Sequence, residues 1–197
     1  SFANAWLAQR LGVPNVYAGS LRRLSSQLFT VVLTLEPVSG ASGNLVLDLP
    51  PSAIDFDALQ IEGERFLKQL GLTGQPCWTL LIGGNGAGYQ YRRQDWQALA
   101  RLMNALASRY DIRWLLVSSR RSGKRAEHLL WDNIDAGIVA AHSWYEEGGG
   151  FRVDAWLGAG QRIFVTEDSM TMLTEAIYSH RPVVSLRPQR AVPTDRY

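Results

Sequence analysis

The sequence predicts an α/β protein built on a parallel, doubly wound sheet. Strand-length apolar runs alternate with segments of helical periodicity along most of the 197 residues, and the hydrophobic share of 46% is enough for a sizeable core. Two of those runs end in loops of unusual chemistry. Trp78 to Ile82 stops at Gly83-Gly84-Asn85-Gly86-Ala87-Gly88, and Phe164-Val165-Thr166 stops at Glu167-Asp168-Ser169 before a new helical pattern. Ligand loops occupy such strand ends in open α/β sheets.

The elements follow in order. Ala3 to Leu11 has apolar residues at helical spacing and meets Gly12, a helix stop, before a short strand at Asn15 to Ala18 and a loop Gly19 to Arg23. Phe29 to Leu35 is a nearly unbroken apolar run, the pattern of a strand covered on both faces, ended by Glu36-Pro37. From Val38 to Pro51 the chain is rich in Gly, Ser and Pro around Leu45-Val46-Leu47, which reads as a crossing between domains. Glu62 to Leu70 reads as a helix stopped by Gly71, Cys77 to Ile82 as the first strand of a new unit, and Asp95 to Tyr110 as the clearest amphipathic helix. Strand Arg113 to Ser118, helix Ala126 to Trp131, strand Gly137 to Ala141, helix Arg152 to Gly158, strand Ile163 to Thr166, helix Ser169 to Ser179 and strand Val183 to Leu186 complete the pattern. Such alternation specifies parallel pairing through helical crossovers.

The formal charge of +2 is too small to predict a nucleic-acid surface. Local clusters stand out instead: Arg22-Arg23, Arg92-Arg93 and Arg120-Arg121-Ser122-Gly123-Lys124-Arg125 each follow an apolar run. Cys77 is the single cysteine, so an internal disulfide and a cysteine metal cluster are excluded, and a reducing cytoplasm fits. No apolar stretch approaches a membrane span and Ser1-Phe2-Ala3-Asn4 lacks a signal pattern, which leaves peripheral membrane contact at most. The chain starts without Met and breaks off after Tyr197 within a continuing α/β pattern, so missing sequence is expected at both ends.

The residues point to a phosphate site. Glycines at 83, 84, 86 and 88 let the backbone turn and approach a ligand without Cβ interference. The spacing matches neither the Walker loop nor the dinucleotide fingerprint, which argues against an ATPase and a dehydrogenase. Thr166 to Glu175 places small hydroxyl residues at a helix start, where unpaired N–H groups favour an anion, and Glu175 in the first turns could accept hydrogen bonds from sugar hydroxyls. Helix capping by Asp168 or Ser169 is the structural alternative, though it leaves Glu175 unexplained. Ser119, Arg120 and Arg121 offer hydroxyl and guanidinium groups for phosphate oxygens, against the alternative of a capped surface turn. Ser143 and Trp144 could border a base, though a partly buried aromatic is the plainer reading. Asp55-Phe56-Asp57 has the form of a metal-diphosphate motif but reads better as helix-start acids, and His128, His142 and His180 lack metal-ligand spacing, so no metal or cofactor is expected.

The segment Val165 to Ala176 with Arg181-Pro182-Val183, together with Leu81 to Asn85 and Ser118 to Arg121, resembles the mitochondrial fission ELM-type family of glycosyltransferase-like proteins. Trp6 to Pro14 and Leu28 to Pro37 extend the likeness over nearly the whole chain. More distantly the same motifs resemble the GT-B glycosyltransferases, notably the N-acetylglucosaminyltransferase that makes lipid II. The resemblance implies a GT-B-like α/β fold of two Rossmann-like domains: 1–40 as the incomplete end of the N-terminal one, 41–60 as the crossing, and 61–197 as a C-terminal nucleotide-sugar-binding domain. It implies that Gly83, Gly84, Asn85, Gly86, Ser169, Met170 and Thr171 surround a diphosphate with Thr166 and Asp168 beside them, that Glu175 binds the ribose, and that Ser20, Arg22 and Arg23 face the cleft from the acceptor side. The implied partners are a nucleotide-diphosphate sugar and a lipid-linked or glycan acceptor, with the catalytic base outside this chain. Because family members act in mitochondrial division, a noncatalytic scaffold for membrane-division or envelope partners is the alternative.

Overall fold

The computed structural model describes residues 2–148 and 153–193, and the chain divides into two units, Ser1–Ala53 and Ile54–Tyr197. In the first, helix α1 (Phe2–Leu11) precedes strands β1 (Val16–Ala18), β2 (Val31–Thr34) and β3 (Asn44–Val46), which form a parallel sheet in the order β1-β2-β3. Ala5, Phe29 and Val32 make its core, with Tyr17 stacked on Phe29 at 4.7 Å. Asn15 pins the entry to β2 by donating to the Leu28 carbonyl (3.0 Å) and accepting from the Thr30 N–H (2.9 Å). The unbroken apolar run from Phe29 to Leu35 predicts burial on both faces, but within this unit only Val32 and Thr34 of β2 are buried and Leu35 is exposed. One face of β2 packs on the small core, so its residues alternate. Asn44–Val46, expected within a crossing, pairs in register with Val32 to Thr34. The segment 41–60 thus supplies a strand to the first unit and a helix start to the second.

The second unit opens with α2 (Phe56–Gln69) and β4 (Cys77–Ile82), followed by β5 (Tyr89–Gln90), α3 (Arg93–Tyr110), β6 (Arg113–Ser118), α4 (Gly123–Trp131) and β7 (Val139–Ser143). It closes with α5 (Val153–Ala159), β8 (Ile163–Thr166), α6 (Met170–Tyr178), β9 (Val183–Leu186) and β10 (Arg190–Ala191). Five strands make one parallel sheet in the order β7-β6-β4-β8-β9. The chain builds outward from β4 to β7 on one side and then crosses back to β8 and β9, so the order reverses between β4 and β8.

All six residues of β4 are buried, because the sheet is covered twice. Trp78, Leu80 and Ile82 face a cluster with Trp96, Met103 and Leu130 of α3 and α4, while Cys77 and Leu81 face one with Leu59, Trp156, Leu157 and Ala176 of α2, α5 and α6. Rings of Trp78, Trp114 and Phe164 meet on the first face at 5.1–5.8 Å, and the Trp114 indole N–H donates to the Met103 carbonyl (3.1 Å). Burial pushes the Cys77 thiol up to about 11, so it behaves as a core apolar group.

Helix starts differ from the sequence-based expectation in an instructive way. α2 begins at Phe56 rather than Glu62, because Asp55 Oδ1 accepts from the N–H groups of Asp57 and Ala58; this makes the Asp-x-Asp pair helix-start acids. α3 begins two residues before Asp95, whose carboxylate accepts the Arg92 N–H (2.8 Å). α4 begins at Gly123 rather than Ala126. β7 starts at Val139 because Asp135 captures the Gly137 N–H (2.8 Å) in a 3-10 turn over Ala136–Ile138. The Arg152 start expected for α5 lies outside the described residues. The antiparallel pair β5 and β10 has no counterpart in the sequence reading, since each is two residues long.

Helices α2 and α5 pack so closely that a Cβ on Gly158 would lie 1.9 Å from the Leu59 carbonyl oxygen, and one on Gly63 2.1 Å from the Gly158 carbonyl carbon. Backbone atoms cannot yield as a side chain can. Gly158→Ala is therefore expected to destabilise the protein by about 2 kcal/mol or more, read as a lower denaturant midpoint at unchanged m; an unaltered midpoint would show that the two helices are not held at this spacing.

Candidate functional site

In an open α/β sheet the usual ligand position is the crevice at the C-terminal ends of the strands where the order reverses, here between β4 and β8. Its two walls are the Gly83 loop after β4 and Glu167-Asp168-Ser169 after β8. They are joined directly, since the Gly83 N–H donates to the Thr166 hydroxyl at 2.7 Å in a fully buried bond. Beside this bond the Asp168 carboxylate is wholly buried, and a Cβ on Gly83 would stand 2.2 Å from its Oδ1. Gly84 lies equally close to the Arg121 carbonyl, 2.0 Å from an added Cβ. These two glycines therefore admit protein groups, Asp168 and the backbone of the loop after β6, whatever else they admit.

That loop is the third wall. Ser122 anchors it by donating to the Ile82 carbonyl (2.7 Å) and accepting the Ser119 N–H (3.0 Å). Arg121 reaches across to donate from Nη1 to the Asp168 carbonyl (2.7 Å), with the same nitrogen 3.6 Å from the carboxylate Oδ2. Neither Asp168 oxygen has a well-formed hydrogen bond. Burial raises the Asp168 pKa; the nearby Gly84 N–H, Thr166 hydroxyl and Arg121 guanidinium pull it down without making good bonds to it. Arg120 and Arg121 are exposed and Ser119 half-buried.

Ser169 caps α6, its hydroxyl accepting the Met172 N–H at a long 3.5 Å. Ser169 and Met170 are half-buried and Thr171 is exposed beside them. Glu175 is half-buried on the same helix, and its carboxylate makes no hydrogen bond or ion pair among the described residues. Its pKa is raised first by burial and then by the charge of Asp154 on α5. The structure thus brings Gly83, Gly84, Arg121, Thr166, Asp168 and Ser169 together, with Thr166 and Asp168 turned inward. Asn85 sits at the loop's rim, where its Oδ1 accepts the Tyr91 N–H (2.7 Å) and leaves its amide group free, and Gly86 lies 3.6 Å, by its would-be Cβ, from Arg121 Nη1. Ser20, Arg22 and Arg23 are exposed in the loop after β1 of the first unit, Arg22 with a left-handed φ of 52°.

Tyr91 is a site residue that sequence reasoning missed. Its hydroxyl donates to the Leu186 carbonyl (2.7 Å) and accepts the Glu167 N–H (3.1 Å), tying the glycine loop to the ends of β8 and β9, and burial raises its pKa. Glu127 was also unmarked, while Ser118, which opens the Ser118 to Arg121 segment of the family likeness, turns inward to it. The buried Ser118 hydroxyl donates to Glu127 Oε1 and accepts the Tyr145 N–H (2.7 Å), which fixes the chain after β7. Trp144 is buried and His142 exposed, each packed against Trp131. His180 packs on Phe56 at 4.9 Å. Among the described residues no three acidic, His or Cys side chains cluster as metal ligands, and no helix is long and apolar enough to cross a membrane.

The sequence model of the mitochondrial fission ELM1 family matches residues 19–197. Among solved structures, the chain is similar to ADP-heptose LPS heptosyltransferase II of E. coli (TM-score 0.59, 15% identity, 94% of this chain against 59% of that one). It is also similar to a glycosyl transferase family 9 protein of Veillonella parvula (TM-score 0.54, 14% identity, 99% against 58%). The chain therefore spans about three-fifths of these structures, and at such identity the likeness shows the fold: an α/β architecture with parallel sheets, of the GT-B type. Among curated protein sequences none matches this chain.

The raised pKa of Glu175 has a consequence for stability. A carboxyl raised above its ordinary 4.5 favours the proton in the folded state, so the stability it carries is fully present below that value and lost as pH rises through the folded-state pKa. Glu175→Gln is expected to melt above the native protein near neutral pH, with the gain closing toward pH ~4. A variant that melts lower at neutral pH would show that the carboxylate is paired in the fold.

Proposed function

The chain belongs to the mitochondrial fission ELM1 family, and from that premise we propose that its second unit is the donor-binding part of a glycosyltransferase that takes a nucleotide-diphosphate sugar and passes the sugar to a lipid-linked or glycan acceptor. The observation that carries this reading is the junction of β8 and α6. There the amide end of a helix meets a glycine loop at the sheet's reversal point, and a half-buried carboxylate without a protein partner waits in the second turn. A half-buried Glu175 carboxylate with no partner among the described residues suits a ligand with hydroxyl donors, such as a ribose.

In this reading the diphosphate lies over Ser169, Met170 and Thr171 and the rim of the Gly83 loop at Asn85 and Gly86. When the bond between the sugar and the diphosphate breaks, negative charge grows on the departing phosphate. The first-turn N–H groups of α6 and the guanidinium groups of Arg120 and Arg121 are positioned to stabilise that charge. Thr166 and Asp168 act beneath the ligand: Thr166 holds the glycine loop, and Asp168 holds Arg121 in reach. Ser20, Arg22 and Arg23 would serve the acceptor side. The setting is the cytoplasm, with membrane contact no more than peripheral where a lipid-linked acceptor is presented.

A thermal-shift and calorimetric screen of UDP, GDP, ADP, CMP and their sugar conjugates tests the reading. One diphosphate is expected to stabilise the protein, by about 2.7 kcal/mol at a hundredfold excess over Kd, and Glu175→Ala to lose at least about tenfold in affinity while remaining folded. Binding unchanged in Glu175→Ala would remove the ribose role. No response to any nucleotide from folded protein would favour a scaffold that keeps the fold and recruits membrane-division partners.

A further inference from the structure

Beside the crevice, on the face of the sheet covered by α3 and α4, two adjoining cavities of about 340 and 510 Å³ share Arg93, Arg125 and Leu129. Gly84, Asn85, Tyr91 and Ser122 are shared with the walls of the crevice, but no residue of the β8–α6 junction reaches these cavities. What marks them is charge. Arg92, Arg93, Lys124, Arg125 and His128 surround the space, with Asp132 the sole acidic lining residue.

The placement runs against ordinary helix electrostatics. Arg92 and Arg93 stand at the start of α3, and Lys124 and Arg125 in the first turn of α4, where the helix dipole is positive and acidic side chains are preferred. α4 has no acid in its first turn and no side-chain cap, the Ser122 hydroxyl oxygen accepting the Ser119 N–H instead. Asp95, the one acid in the first turn of α3, has its carboxylate engaged by the N–H groups of Arg92 and Gln189. Among the described residues Arg92, Arg93, Lys124 and Arg125 form no ion pair and all four are exposed. Like charges gathered at two positive helix ends repel one another and both dipoles; a multiply charged anion in the cavity would relieve both.

The cavity is also shaped. Its floor is Trp96, which is 3% exposed and stacks on Tyr91 at 5.0 Å, and Tyr91 is held by both hydrogen bonds of its hydroxyl. Gly84 and Ser122 close the side toward the crevice. Trp96, Gly84 and Ala126 are buried, Tyr91, Ser122 and Leu129 are half-buried, and the cations stand at the exposed rim.

We propose that this cavity is a second phosphate site, separate from the one at α6, that holds a phosphate monoester or diphosphate through Arg92, Arg93, Lys124 and Arg125. The same chemistry is offered by a soluble phosphate compound and by the headgroup of an acidic phospholipid. The test uses two probes, inorganic pyrophosphate by calorimetry and thermal shift, and sedimentation with phosphatidylcholine vesicles containing phosphatidic acid.

The native protein should bind at least one probe, with affinity that falls as salt is added. The double variant Arg93→Gln/Arg125→Gln should lose about tenfold or more in that affinity, as expected from removing two charge-assisted contacts. Without ligand it should melt at or above the native protein, because a repulsion has been removed; this separates loss of a site from loss of the fold. With the donor crevice saturated by the nucleotide that the screen selects, binding of the same probe should persist. Binding of vesicles abolished by the double variant would identify a lipid headgroup, and response to pyrophosphate alone a soluble ligand. The proposal is overturned if neither probe binds, if the double variant binds as the native protein does, or if saturating the donor crevice abolishes binding equally.

Discussion

The ladder between β4 and β8 sets the register where the chain order reverses, and the bond from the Gly83 N–H to the Thr166 hydroxyl carries that pairing past the strand ends into the loops. β4 heads the branch that runs through β6 to β7, and β8 heads the branch to β9; nothing in the covalent chain keeps their ends at one height. With this bond buried, the glycine loop and the start of α6 become walls of a single crevice. Asp168 next to it allows only glycine at 83, and the carbonyl of Arg121 only glycine at 84. Loops after β4, β6 and β8 are thereby locked into one another, and Tyr91 adds the end of β9.

Several groups around this junction oppose stability. Asp168 is a carboxylate wholly buried without a good hydrogen bond, Glu175 is half-buried beside the charge of Asp154, and four cations crowd two helix starts. Elsewhere the unit is conventional: apolar faces alternate along β4, helix starts at Asp55 and Asp95 are capped, and aromatic rings interlock. The buried carboxylate and the crowded cations gather at the C-terminal ends of the strands, the region where the protein has been shaped for something other than folding.

Much of this was legible without coordinates. β4, β6, β8 and β9 lie at the residues their apolar runs specify, because a parallel sheet covered on both faces demands continuous hydrophobicity. Helix starts were less legible, since they depend on which acid accepts a backbone N–H, and Asp55 and Asp95 each extend their helix beyond its apolar stripe. Tyr91 could not be singled out, because its partners lie at positions 167 and 186 and a lone Tyr in a loop has no periodicity. Glu127, with Ser118 buried against it, was hidden in the same way by a helix pattern in which a Glu reads as solvent-facing.

By itself the sequence determined the fold class, the strand ends at which the loops gather, and the residue types in them, for these depend on period, composition and neighbours along the chain. Only the tertiary structure decided what those residues meet. It turned Thr166 and Asp168 inward to serve Gly83 and Arg121, left the Glu175 carboxylate without a partner among the described residues near Asp154, and brought Arg92-Arg93 and Lys124-Arg125 around two adjoining cavities, the first lined by Trp96. The reason is strand order. A sheet arranged β7-β6-β4-β8-β9 places residues 83, 121 and 168 side by side, and no local pattern in the chain encodes which strands become neighbours.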